Sequence, residues 1–145
     1  MFVERLHALT SFRLAVVSRD ATVQDAALPL SRPGVGLVLV CDATGSLEGV
    51  ISKSDLIRHL SSPTHASPPA SALMSKSVIT CGPKDDVRDV WQTMAARSLQ
   101  NVPVINEAAK PLGILDIRDA MKVLFEEEEL QERMLFNYVS GVGYR

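Results

Sequence analysis

The chain has little of what most catalytic and cofactor chemistries need. Among its 145 residues there are two cysteines and three histidines, and aromatic side chains make up 5%. Cys41 and Cys81 are too few and too far apart for a disulfide framework or a Cys-x-x-Cys zinc site, and His7, His59 and His65 show no ligand spacing. The neighbours of the thiols, Leu39-Val40 and Ile79-Thr80, make them buried strand residues and not reactive ones. A basic excess is also missing. The formal net charge of -2 gives nothing to wrap a phosphate backbone, so nucleic acid is not an expected partner. Long apolar runs are absent too, and Glu4, Arg5 and His7 stand where a signal sequence would need unbroken apolar residues. The expectation is a cytoplasmic protein without a membrane partner.

What the chain does have is itself, twice. Ala8, Leu9 and Ser11 match Ala72, Leu73 and Ser75; Val23 and Asp25 match Val87 and Asp89; Val38 and Val40 match Val102 and Val104. Gly49, Asp55 and Leu60 match Gly113, Asp119 and Leu124, still without a gap. Apolar, turn and charged positions keep step between the identities, as a shared fold requires after side chains drift. Apolar residues are 46% and charged residues 22% of the chain, a globular composition. A repeat of about 60 residues is marginal alone, so the two should share one core and place two equivalent clefts about a pseudo-twofold axis.

Each repeat reads strand, helix, strand, strand, helix. In the first, Leu14 to Val17 is a short buried strand and a helix follows from about Thr22, with Val23, Ala26, Ala27 and Leu30 as its apolar stripe. Pro29 and Pro33-Gly34 limit its length. Val35 to Cys41 and Leu47 to Ser52 form a hairpin about a turn at Asp42 to Gly45, and Ser54-Asp55 opens a second helix. Pro63, Pro68 and Pro69 among serines mark a linker. In the second repeat Val78 to Cys81 is the strand, and Asp85-Asp86 begins a helix whose stripe is Val87, Val90, Trp91 and Met94. Val102 to Ile105 and Leu112 to Leu115 form the hairpin. Pro103 cannot donate to a ladder, which predicts an edge strand or one that begins there. The last helix starts near Arg118. The fold class is α+β, two β-α-β-β-α repeats in one compact module: residues 1–61 with an N-terminal lead-in, a linker at 62–71, the second repeat at 72–125, and a helical extension at 126–145.

Chemistry concentrates in two heptapeptides at strand-to-helix junctions, Gly49-Val50-Ile51-Ser52-Lys53-Ser54-Asp55 and Gly113-Ile114-Leu115-Asp116-Ile117-Arg118-Asp119. The glycine lets a ligand or another backbone approach, and a hydroxyl at a helix N-terminus suits a phosphate. The aspartate can accept hydrogen bonds from both hydroxyls of a ribose. Either aspartate alone reads equally well as a helix N-cap. Both together, each with its glycine, point to a site. Lys53, Arg58, Arg118 and Lys122 are the cations nearby; Lys53 and Arg118 are expected to face a phosphate, while Arg58 and Lys122 read as solvated helix residues.

These features make the chain similar to a tandem pair of cystathionine-β-synthase (CBS) domains, a Bateman module, over about Leu6 to Leu124. Met74 to Thr80, Val87, Val102-Pro103-Val104 and Gly113 to Asp119 carry the likeness. The resemblance implies a regulatory module without catalysis that binds AMP, ADP, ATP, S-adenosylmethionine or NAD between the repeats, joins with a second copy as a disc, and signals to an effector protein. Carried over by position, it implies a first site of Asp55 for the ribose, Ser52 near the phosphate, and Val16, Val17, Ser18, Gly36, Leu37 and Val38 around the base. It implies a second site of Asp119 for the ribose, Ile79, Thr80, Asn101, Val102 and Pro103 around the base, and Asp116 in the hydroxyl's place. Two departures stand out. Asp116 would repel a phosphate unless Arg118, Lys122, Lys53 or a cation screens it, and Val16 replaces the polar Thr80 of the other repeat. The first site is therefore expected to be the better one. The alternative is a dimeric interaction module with degenerate clefts. An enzymatic reading has only the Asp116 and Asp119 pair behind it, a spacing that fits metal or ribose contact as well as acid-base work.

Beyond Lys122 the helix should continue past Glu126 to Glu129 to about Tyr138 and end at the glycines of Gly141 to Arg145. Leu130, Met134, Leu135 and Val139 extend its apolar stripe beyond one module's needs, which predicts packing on the partner half or on a second subunit.

Overall fold

The computed structural model describes residues 1–63 and 66–142. His65 and the end of the chain at 143–145 lie outside the described residues. A 3-10 turn at Val3–Leu6 leads into α1 (His7–Phe12), which the sequence pattern does not announce. The first repeat then runs β1 (Val16–Ser18), α2 (Val23–Leu30), β2 (Leu37–Cys41), β3 (Leu47–Ser52) and α3 (Lys53–Leu60). The second begins with α4 (Ala70–Leu73), so helix starts inside the segment read as linker, and continues through α5 (Val87–Ala96), β4 (Asn101–Ile105), β5 (Pro111–Asp116) and α6 (Ile117–Val142).

Local chemistry sets the helix starts. Thr22 and Ser52 each close a capping box with the acid three residues on: the hydroxyl accepts from the amide of Asp25 or Asp55, and that carboxylate accepts from the cap's own amide. Asp86 caps α5 by accepting from the amides of Arg88 and Asp89. The hairpin turns are twins as well. Asp42 Oδ1 accepts from the amides of Thr44 and Ser46, and 64 residues later Asn106 Oδ1 accepts from those of Ala108 and Lys110. The two turns touch, with the Leu47 amide donating to the Ala109 carbonyl at 2.8 Å.

In the first repeat β1 pairs in parallel with β2, which pairs antiparallel with β3. In the second, β4 and β5 pair antiparallel, but the expected strand over Val78 to Cys81 shrinks to a single parallel bridge between Cys81 and Val104. Pro103 is the reason. In the first repeat the Leu39 amide donates to the Ala15 carbonyl at 2.8 Å. The corresponding rung would run from residue 103 to the carbonyl of Ile79, and proline has no N–H to give. Pro103 thus lies inside β4, paired with Ile114 on its other side, and its ring closes the ladder toward Ile79 and not the strand itself.

The repeats exchange arms. Val3 and Leu6 are buried with Cys81, Val87, Met94, Val102, Leu115 and Leu124 in the core of the second repeat. Ala70, the counterpart of Leu6, is buried with Ala26, Leu30, Val38, Val40 and Ile51 in the core of the first. Leu37, Leu39 and Ile114 form the apolar seam where the sheets meet. Both heptapeptide glycines serve this exchange. A Cβ on Gly113 would stand 2.7 Å from the backbone of Thr10, and one on Gly49 would stand 2.7 Å from the Ser75 carbonyl and the Met74 sulfur.

Candidate functional site

The open ends of the two hairpins and the starts of α3 and α6 enclose one cleft of about 800 Å³. Six pairs of its lining residues are repeat counterparts: Gly34 with Ser98, Val35 with Leu99, Gly36 with Gln100, Leu37 with Asn101, Lys53 with Ile117 and Ser54 with Arg118. The cleft therefore straddles the pseudo-twofold axis. Ser52 also lines it, whereas its counterpart Asp116 is only 2% exposed. Gly36 permits the narrowest approach, since a Cβ there would meet the Asn101 side-chain amide at 2.6 Å.

Of the residues proposed from sequence, the structure gathers Gly36, Leu37, Ser52, Asn101 and Arg118 in this cleft. Ile79, Thr80 and Val102 instead line a smaller cavity of about 240 Å³ whose walls include Asp85, Asp86 and Asp89, a cluster that disfavours an anionic ligand. Val38 and Pro103 are fully buried. Val16 and Ser18 are exposed, and Val17 is half-buried on β1.

Asp55 and Asp119 occupy equivalent places with different partners. Asp55 closes its capping box, accepting from the Ser52 amide at 2.8 Å, and its other oxygen meets Arg58 at 3.1 Å. That arginine side chain is 77% exposed. Asp119 accepts two hydrogen bonds from one guanidinium: Arg13 Nε reaches Oδ2 at 2.7 Å and Nη2 reaches Oδ1 at 3.2 Å. The Arg13 side chain is 17% exposed, and its Nη1 also donates to the Gly34 carbonyl at 2.6 Å. The Asp119 hydrogen bond raises the pKa of Arg13 further, burial pulling the other way.

Asp116 does not stand as a bare charge. Its Oδ1 accepts from the backbone amide and Nε of Arg118, at 2.8 and 3.0 Å, its Oδ2 accepts from Nη2 at 2.8 Å, and Arg13 Nη1 lies 3.6 Å away. Burial pushes this carboxyl up, but the Arg118 hydrogen bonds and the Arg13 charge outweigh it and hold the group below its ordinary value. The screening expected of Arg118 is present, and its consequence is that Arg118 spends its fork on Asp116. Sequence reasoning missed Arg13. Its counterpart is Ser77, so the likeness of the repeats passes over it; the only signal is a cation just before the first strand, which the apolar run Leu14 to Val17 announces as buried but which is exposed at Val16 and Ser18.

The described residues contain no group of His, Cys, Asp and Glu able to hold a metal ion. Burial pushes Cys81 up to about 12, and Cys41 up as well, so neither thiol ionises near neutral pH.

The sequence matches the CBS domain family twice, over residues 8–62 and 70–126. The chain belongs to the CBS-domain family. Its two matches form a CBS pair, a module type that is generally regulatory and not catalytic. Arabinose 5-phosphate isomerase GutQ of Shigella flexneri is 33% identical over 103 residues, which are 71% of this chain and 32% of the relative. The chain thus spans about a third of that relative's length. A crystal structure of a CBS-domain protein from Agrobacterium tumefaciens superposes with a TM-score of 0.70 at 27% identity, covering 85% of this chain and 98% of the other. A CBS domain pair solved with 5′-methylthioadenosine and S-adenosyl-L-methionine shares the fold at a TM-score of 0.72 and 20% identity, covering 88% and 98%. No helix among the described residues is long and apolar enough to cross a membrane.

Proposed function

We propose that this CBS pair is a regulatory module that takes an adenosine-containing ligand, such as AMP, ADP, ATP, S-adenosylmethionine or NAD, in the cleft between its repeats and signals occupancy to an effector protein. The observation that carries the reading is the cleft on the pseudo-twofold axis, with a volume of about 800 Å³ and a lining drawn from both repeats. Small-molecule sites fall in the range of about 300–1,000 Å³. Gly36 and Leu37 offer backbone and apolar surface to a base, and Lys53 with the α3 start offers positive potential to an anionic group. Asp55 stands one residue beyond the cleft wall of Ser52 to Ser54 and does not line it; it is the ribose acceptor in this reading, because its exposed Arg58 partner yields to a ligand at little cost. Because the cleft walls belong to different repeats, a ligand that bridges them favours one arrangement of the halves over another, which is the physical content of such signalling.

The exposed apolar residues of α6 support a homodimer. Leu130, Met134, Leu135, Tyr138 and Val139 are each 56–73% exposed, so the partner half does not cover them and a second subunit is left to do so.

Thermal unfolding with and without each adenosyl compound tests the ligand reading. A midpoint that rises with ligand concentration, and fails to do so in Asp55→Ala, is the expected result. No shift with any compound favours the second reading, an interaction module with degenerate clefts, for which the locked Asp119 already speaks.

A further inference from the structure

Arg13 reaches from the lead-in of the first repeat to the start of α6 in the second, and there it satisfies both oxygens of Asp119. Resting on the reading that the cleft takes an adenosyl ligand, we propose that Arg13 is a resident occupant of the second ribose position, so that each chain takes one adenosyl ligand, on the Asp55 side.

Four observations carry this. First, the pairing is two-pronged and enclosed, with side chains 17% and 13% exposed, so it escapes most solvent screening. Second, the guanidinium is fixed from the other side by the Gly34 carbonyl at 2.6 Å, and Gly34 itself lines the cleft. Third, a ribose offers two neutral O–H donors where Arg13 already offers two cationic N–H donors in the same bidentate pattern. Both sets of donors end on an ionised carboxylate, but only the guanidinium adds the attraction of an opposite charge, and displacing it would leave an enclosed cation unpaired, so the diol loses the competition. Fourth, the device is present once. Residue 77, the repeat counterpart of Arg13, is serine, and Asp55 meets Arg58 from its own helix, 77% exposed. The duplication supplied two equal carboxylates, and one arginine makes them unequal.

The experiment is calorimetric titration of wild type and Arg13→Met with AMP, repeated with S-adenosylmethionine, after circular dichroism has shown the variant folded. One ligand per wild-type chain and two per Arg13→Met chain is the expected result. Two per wild-type chain, or one per chain in both proteins, overturns the proposal. Should Arg13→Met not fold, the wild type still decides: the Arg13 Nε–H resonance stays in place at saturating ligand if the proposal holds, and shifts or vanishes if Asp119 is taken over by ribose. Absence of binding in either protein, with both compounds, overturns the ligand reading of the cleft itself and this inference with it.

Discussion

Gly113 and Thr10 touch where no side chain fits: a Cβ on the glycine would stand 2.7 Å from the carbonyl carbon, carbonyl oxygen and hydroxyl of the threonine. Backbone atoms cannot swing away as a long side chain can, so Gly113→Ala must push α1 off β5. Overpacking of this kind costs about 1–3 kcal/mol. Urea unfolding of Gly113→Ala should show that loss. An unchanged midpoint would mean that α1 does not rest on β5.

Arg13→Ala and Arg58→Ala should separate a structural pair from a surface one. Arg13 is enclosed and makes three hydrogen bonds, so its loss is expected to cost about 1.5–3 kcal/mol for bonds to charged groups. Arg58 is 77% exposed and should cost about 0.5 kcal/mol or less. Equal midpoints in chemical denaturation would contradict the difference in burial.

Asp116 predicts acid sensitivity. Its folded pKa lies below the ordinary 3.8, so the stability it contributes is complete above that value and is lost as pH falls through the lower folded value. Asp116→Asn keeps a capping acceptor before α6 but gives up the charge. At pH 7 the variant should be the less stable protein. As pH falls below 3.8 the gap should narrow, and a separation of the denaturation curves that stays what it is at pH 7 would refute the assignment.

Ser52→Ala removes the α3 cap and should cost about 1 kcal/mol. Thr22→Ala at the equivalent cap of α2 should cost about as much. Only Ser52 lines the cleft, so only its loss should also weaken AMP-induced stabilisation in a thermal shift. Equal effects of the two variants on that stabilisation would place the ligand elsewhere.

Removing the chain after Glu126 should lower the molar mass in sedimentation equilibrium to that of one chain. A truncated protein of unchanged oligomeric state would show that the exposed face of α6 is not the dimer contact.

The repeat made most of the fold legible, because apolar spacing and turn residues are local. Asp42 and Asn106 announce their turns, and the apolar stripe of α5 places Val87 and Met94 in the core. What escaped depends on distance in sequence. Pro103 was readable as a missing donor, but which rung it removes depends on which neighbour lies on that side. Ser52 was readable as a hydroxyl at a helix start, yet the capping box with Asp55 already engages it. The Gly49 and Gly113 contacts are made by the other repeat's arm, and Arg13 meets Asp119 across 106 residues. Spacing within a heptapeptide carries no information about a partner that far away.

The exchanged arms also set an order of assembly. Ala70 follows the first repeat's core closely along the chain, so that core can close as soon as the linker has been made. Val3 and Leu6 are made before the residues that bury them, because their resting place is built from residues as late as Leu115 and Leu124. Contacts across so long a separation form slowly. On a nascent chain Val3 and Leu6 therefore have no core to enter until the second repeat has been made.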